Sequence, residues 1–115
     1  MYSKPQLLQG VFPFEGRGLS SPHALAGGPA YTVPVGKRTQ FVYFRAGNSS
    51  GELVCVTLMR DGKPMRLFPI GARGDVHVAL AVVEDLMSGT TLEAYVSAPE
   101  GVSGTLILDI GLVEV

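Results

Sequence analysis

The sequence contains no tryptophan, one cysteine and only two histidines. With a single cysteine, Cys55, no disulfide can form inside the chain. His23 and His77 are too far apart in sequence to indicate a metal site, which needs several converging ligands. Fingerprints for phosphate or dinucleotide binding are missing, and no nucleophile has a base and an orienting group beside it. The sequence therefore predicts no cofactor, no metal and no catalytic residues, and hence a protein that is not an enzyme.

Charged residues are also scarce, at 17% of the chain against a usual value of about 25%. The formal net charge is −1, which argues against a nucleic-acid partner held by phosphate neutralisation. The charges are unevenly divided, because residues 37–73 hold seven basic residues whereas residues 74–115 hold seven acidic and no basic ones. This division can pair strands within one chain or orient two copies; pairing within one chain is the simpler interpretation.

No run of about 18 apolar residues is present that could cross a membrane as a helix. The first residues, MYSKPQLLQGVFPF, lack the apolar core and cleavage site of a signal peptide. We therefore expect a cytoplasmic protein with no membrane partner. A chain of 115 residues has room for one domain, which we place at residues 1–115.

What the chain does contain is strand-like segments between many glycines and prolines. Apolar and polar residues alternate in Asp75–Val82, Thr91–Ala98 and Thr105–Leu112, as in half-buried antiparallel strands. Asp61-Gly62 is a strong signal for a type I′ hairpin turn. The sequence predicts an all-β, antiparallel β-sandwich (jelly-roll-like) of about eight strands, with a long irregular loop at 15–30 and at most a helical turn at Val83–Ser88.

Two segments are apolar on both faces, which is unusual in a two-layer sandwich. In Thr39–Ala46, strict alternation puts Phe41 and Tyr43 on one side and Val42 and Phe44 on the other, and Glu52–Arg60 is similar. One side of each strand must face the core, so the other needs a loop, an N-terminal arm or another subunit to cover it. We expect self-association through the sheet that contains both segments, with Cys55 buried in the core.

The candidate binding or interface residues are aromatic and charged side chains in the strand-like segments: Phe41, Tyr43, Arg45, Tyr95 and Asp109. Asp109 interrupts an apolar strand and, if its face of the sheet is covered, needs a partner such as Arg45 or Arg38. The main hypothesis is a non-catalytic protein that acts through protein contacts, as a homo-oligomer or an accessory subunit. The alternative is a small-molecule or carbohydrate-binding module that uses Phe41, Tyr43, Tyr95 and the 15–30 loop.

A resemblance supports the alternative. YTVPVGKRTQFVYFRA, residues 31–46, is similar to the turn and long aromatic strand that open jelly-roll carbohydrate-binding modules of the galactose-binding-like class. GTLILDIGLVEV, residues 104–115, resembles their closing strand, an apolar run that carries one aspartate. The resemblance covers residues 31–115 and implies a jelly-roll fold with a sugar ligand. The chain departs from these modules in having no tryptophan, the residue that they most often stack on sugars.

Overall fold

The structure, a computed structural model, describes residues 4–115. It has nine strands: β1 (Lys4–Glu15), β2 (His23–Ala24), β3 (Ala30–Thr32), β4 (Thr39–Asn48), β5 (Val54–Arg60), β6 (Lys63–Ile70), β7 (Asp75–Leu86), β8 (Thr91–Ser97) and β9 (Ser103–Glu114). The described residues include no helix, so none is present that could cross a membrane.

The strands form two antiparallel sheets. The four-stranded sheet has the order β1-β9-β4-β7, and the five-stranded sheet has the order β2-β8-β5-β6 with β3 also paired to β8. The prediction of an antiparallel, jelly-roll-like sandwich is confirmed. There are nine strands instead of about eight because two short strands, β2 and β3, lie one after the other along β8.

The core lies between the sheets and is made of the inward-facing residues of each strand. Leu106, Leu108, Ile110 and Leu112 of β9 are almost completely buried, as their alternation predicts. Phe44 of the four-stranded sheet stacks on Phe68 of the other sheet, with ring centroids 4.0 Å apart. Each such side chain contributes about 1.5–3 kcal/mol on burial, so these contacts hold the sheets together.

A β-bulge corrects the sequence interpretation of β4. The pairing of β4 with β9 shifts register between Phe41 and Tyr43, which leaves Val42 without a cross-strand partner. An extra residue in a strand reverses the alternation beyond it. Phe41 and Phe44 therefore both face the core and are fully buried, whereas Tyr43 faces outward. The apparent two-sided apolarity of this segment is thus the result of the bulge.

Two further expectations were wrong. The segments Thr39–Ala46 and Glu52–Arg60 do not share a sheet, because β4 and β5 belong to opposite layers. Cys55 is half-buried instead of buried, since the core face of β5 is that of Val54, Val56 and Leu58. The upper limit of one helical turn at Val83–Ser88 is met, because β7 continues as a strand to Leu86.

The 15–30 segment is only partly irregular, since it contains β2 and the first residue of β3. The hairpin prediction at Asp61-Gly62 is confirmed: this pair joins β5 to β6, and both residues have positive φ, 51° and 77°, as a type I′ turn requires.

The basic and the acidic segments of the chain form ion pairs with each other. All three ion pairs of residues 4–115 join the basic segment to the acidic one: Arg38 with Asp85 at 3.7 Å, Arg45 with Asp109 at 3.6 Å, and Arg66 with Glu84 at 2.9 Å. The third links β6 of one sheet to β7 of the other. The interpretation that these charges pair within one chain is confirmed, although only Arg45 and Asp109 belong to neighbouring strands of one sheet.

The outermost strands of both sheets carry irregularities. The edge strand β1 contains Pro5 and Pro13, and the edge strand β6 contains Pro64 and Pro69. In β7, four residues (80–83) stand opposite the single residue Val42 of β4. The remaining edge is divided between β2 and β3, of two and three residues.

Candidate functional site

The outer face of the four-stranded sheet carries a row of four polar side chains, one from each strand. The strand register places Gln9 of β1 opposite Asp109 of β9, Asp109 opposite Arg45 of β4, and Arg45 opposite His77 of β7. Directly opposite residues of antiparallel strands point to the same face. These four residues, which we call the polar row, therefore cross the sheet at right angles to its strands.

Tyr43 lies beside the polar row and rests on the sheet backbone. A Cβ atom added to Gly111 would lie 1.9 Å from Cε2 and 2.2 Å from Cδ2 of the Tyr43 ring. The ring therefore occupies the space that any other residue at position 111 would fill with its side chain. The edge-on ring of His77, with its centroid 6.2 Å away at an interplanar angle of 89°, flanks Tyr43 on the other side.

Asp109 fixes the positions of its neighbours. Its Oδ1 accepts hydrogen bonds from the Tyr43 hydroxyl at 2.9 Å and from Gln9 Nε2 at 3.0 Å. Arg45 Nη1 lies 3.6 Å from Oδ2, a distance at which charge attraction outweighs hydrogen bonding. The prediction that Asp109 needs a basic partner is confirmed, and of the two candidates the partner is Arg45.

The Tyr43 hydroxyl stays protonated at neutral pH. Partial burial raises its pKa above the ordinary value, and the hydrogen bond to Asp109 raises this pKa further. Protonated, the hydroxyl donates to Asp109 and keeps one lone pair available to an incoming donor. The ring orientation is therefore fixed at both ends, by Gly111 below and by Asp109 at the hydroxyl.

A shallow depression of about 530 Å³ includes Arg45, His77 and Asp109 in its lining. Tyr43 is not part of this lining but lies beside it, in contact with Asp109 and His77. Arg45 keeps 59% of its side chain exposed, against 21% for Asp109, so several guanidinium donors remain free. The depression also includes the carboxylate of Asp75 and the exposed side chain of Ile107. It thus offers donors, acceptors and apolar surface to a ligand lying flat on the sheet.

The structure brings together three of the five residues predicted from the sequence. Tyr43, Arg45 and Asp109 meet on this face, but Phe41 is fully buried in the core because of the bulge at Val42. Tyr95 lies on the outer face of the other sheet, opposite Thr57 of β5.

Sequence reasoning missed Gln9 and considered His77 as a possible metal ligand, not as a candidate binding residue. Phe12 and Phe14 alternate with Pro13, a pattern compatible with an edge strand. If the two phenylalanines face the core, Gln9 is on the opposite, outward face together with Pro13. Residues 4–115 contain no group of three or more histidine, cysteine or acidic side chains arranged to hold a metal ion.

Comparison with known proteins gives a likeness of fold alone. No protein-family model matches the sequence, and no curated protein matches it either. Among solved structures, the chain is similar to the CBM36-1 domain of a multidomain xylanase from the hindgut metagenome of Trinervitermes trinervoides. The TM-score is 0.56 at 14% identity, over 96% of each chain. The resemblance to jelly-roll carbohydrate-binding modules is confirmed as a fold.

A second similar structure is an exo-beta-1,3-galactanase from Phanerochaete chrysosporium, solved with beta-1,3-galactotriose. The likeness covers 96% of this chain but 29% of that one, at 18% identity and a TM-score of 0.46. A TM-score this low adds nothing to the fold assignment.

Proposed function

We propose that this protein is a non-catalytic carbohydrate-binding module whose ligand lies on the outer face of the four-stranded sheet. The observation that carries the proposal is the position of Tyr43. Its ring is held against Gly111 and tied to Asp109, so it is preorganised to receive a flat ligand, and preorganisation lowers the entropic cost of binding. The apolar face of a sugar ring matches such an aromatic surface.

The polar row supplies what the sugar hydroxyls require. A hydroxyl both donates and accepts hydrogen bonds, and so does the amide of Gln9, whereas Arg45 donates and Asp109 accepts. Neighbouring strands are about 4.8 Å apart, a spacing comparable to the length of one sugar unit in an extended chain. A chain segment lying along the row would thus meet a polar side chain at each unit.

Charge favours an uncharged ligand. The depression contains one guanidinium, Arg45, and two carboxylates, Asp75 and Asp109. The carboxylate of a uronic acid would be attracted by Arg45 but repelled by Asp75 and Asp109. A neutral polysaccharide experiences no such repulsion. Asp109 is already bound to several donors, which suits a positioning role better than that of a free acid–base catalyst.

The test compares two tyrosines that are half-buried on opposite outer faces, Tyr43 and Tyr95. Binding to xylan, galactan and cellulose is measured by affinity electrophoresis, and binding to soluble oligosaccharides by titration calorimetry. We expect Tyr43→Ala to weaken binding at least about tenfold, equivalent to about 1.4 kcal/mol, with Tyr95→Ala unchanged. Equal loss in both variants, or no binding to any neutral polysaccharide, would contradict the proposal.

A second candidate is self-association through the same face, favoured by its exposed apolar side chains. Val11 of β1 and Ile107 of β9 are paired directly and are 65% and 58% exposed. Monomers rarely leave large contiguous apolar patches in water. Light scattering at rising concentration distinguishes the two functions: a dimer that Ile107→Lys dissociates supports self-association, and a monomer supports the carbohydrate site.

A further inference from the structure

A second pocket lies away from the polar row, between the end of β1 and strand β2. Its volume is about 340 Å³ and its lining includes Phe14, Glu15, Arg17, His23 and Leu25. Glu15 is six residues beyond Gln9, which corresponds to about 20 Å along the strand. The pocket is therefore separate from the face proposed above, and it is smaller and partly enclosed by the two sheet edges.

The pocket wall is rigid although it lies in the connection after β1. Gly16 donates its N–H to the carbonyl of Val102 at 2.6 Å, and Gly18 donates to Ala98 at 2.8 Å. A Cβ atom on Gly16 would lie 2.1 Å from the carbonyl oxygen of Pro99, so this segment is packed directly on the neighbouring backbone. The opposite wall is fixed because His23 pairs with Val96 of β8. The pocket is thus largely preformed, as ligand sites usually are.

His23 is the unusual residue of this pocket. Its Nδ1 is the one buried side-chain nitrogen or oxygen of residues 4–115 that has no hydrogen-bond partner. Buried N–H donors without acceptors are rarer in proteins than acceptors without donors. In the tautomer with Nδ1 bare, the imidazole carries its proton on Nε2. Because His23 is part of the pocket lining, Nε2 is the ring nitrogen left to donate a hydrogen bond to a ligand.

Two opposite charges complete the lining. Glu15 and Arg17 are exposed, and within residues 4–115 neither is part of an ion pair. Together with His23 they present one strong acceptor and two kinds of donor with no net charge. Pro13 and the nearly buried ring of Phe14 provide apolar surface beside them.

We propose that this pocket is a second carbohydrate site, which binds a single neutral sugar ring, either free or at the end of a chain. Glu15 accepts hydrogen bonds from ring hydroxyls, and Arg17 and His23 donate to them. A cavity of about 340 Å³ is at the small end of ligand pockets, so it suits one ring, whereas the open face around Tyr43 suits the interior of a chain. The inference takes only its class of ligand from the proposed function.

The test is a nuclear magnetic resonance titration of the whole chain with xylose, glucose and galactose. We expect one of these sugars to shift the backbone amides of residues 14–17 and 23–26. Arg17→Ala should weaken this binding about tenfold, the loss expected for a charge-assisted hydrogen bond, and His23→Ala should weaken it similarly. The matched control is Arg73→Ala, an exposed arginine in the turn before β7, which should have no effect.

The outcomes separate this inference from the proposed function. If Tyr43→Ala abolishes polysaccharide binding but leaves the monosaccharide shifts unchanged, both sites are supported. Absence of shifts at residues 14–17 and 23–26, or shifts that persist unweakened in Arg17→Ala and His23→Ala, would overturn the second site even if the face around Tyr43 binds polysaccharide. Shifts at these residues together with no binding of any polysaccharide would instead support the second site and count against the first.

Discussion

A partly buried hydrogen bond joins the two sheets near the start of β4, and its removal gives a quantitative prediction. The Tyr31 hydroxyl, from β3 of the five-stranded sheet, donates a short hydrogen bond to Glu114 Oε2 of β9. It also lies 3.0 Å from Oγ1 of Thr39 in β4. Glu114 is 7% exposed and Thr39 is fully buried, so water cannot readily replace the hydroxyl of Tyr31.

Tyr31→Phe should therefore destabilise the protein by more than an average hydrogen bond would. A hydrogen bond to a charged group contributes about 1.5–3 kcal/mol, and the mutation leaves a buried carboxylate without this donor. We expect the free energy of unfolding to fall by about 2–3 kcal/mol at neutral pH, a large part of the ~5–15 kcal/mol typical of a domain. The measurement is urea denaturation, with Tyr95→Phe as the matched control, because within residues 4–115 the Tyr95 hydroxyl has no hydrogen-bond partner.

The same pair gives a pH dependence of known sign. Burial raises the pKa of Tyr31 above 10, its ordinary value, and the hydrogen bond to Glu114 raises it further. Because the folded pKa is higher than the unfolded one, this stabilisation is fully present below pH ~10 and is lost as the pH rises through the folded pKa. The difference between wild type and Tyr31→Phe should thus shrink in alkali. A difference under about 0.5 kcal/mol at neutral pH, or one constant with pH, would refute the argument.

Three further predictions follow from contacts elsewhere. Asn48→Ala should cost about 2–4 kcal/mol in urea denaturation, because the buried amide of Asn48 bonds to the carbonyls of Glu52 and Gly71 and to Ser50; a loss below 1 kcal/mol would contradict this. Arg66→Ala removes bonds to Glu84 and to the carbonyl of Val82 and should speed amide exchange in residues 80–86, while global stability changes by under about 1 kcal/mol; unchanged exchange would count against it. Native Cys55, half-buried, should react with a thiol reagent well before global unfolding, and complete protection would show that this face is covered.

The sequence predicted the architecture because most strands keep a strict alternation. Thr91–Ser97 and β9 alternate without a register shift, and their inward-facing residues, such as Leu92, Val96, Leu108 and Ile110, lie in the core. The pattern failed at Val42, where the bulge reverses the facing of Tyr43 and Phe44. Such a bulge needs no glycine and leaves no mark in composition. Strict alternation therefore predicted that Phe41 and Tyr43 share one face. The predicted self-association interface depended on that wrong assignment.

The part of the candidate site that was predicted from the sequence is the part with a local signal in a strand pattern. Asp109 stood out because a carboxylate in an apolar strand must find a partner, and the register supplies Arg45 directly opposite. For Gln9 the alternation in β1 could indicate only an outward-facing position, since its role depends on β1 pairing with the far end of the chain. Nothing local in a sequence encodes such long-range register, nor the assignment of β4 and β5 to opposite sheets.

The blocked edges of both sheets limit how copies of this protein can meet. Proline cannot donate to a strand ladder, so β1 and β6 cannot be extended along their length, and the widened segment of β7 and the short β2 and β3 offer poor templates. Growth of a continuous cross-β stack, the route to fibrils, therefore has no starting edge in the folded state. Many copies of the folded protein crowded together should therefore remain separate molecules that touch through side chains alone.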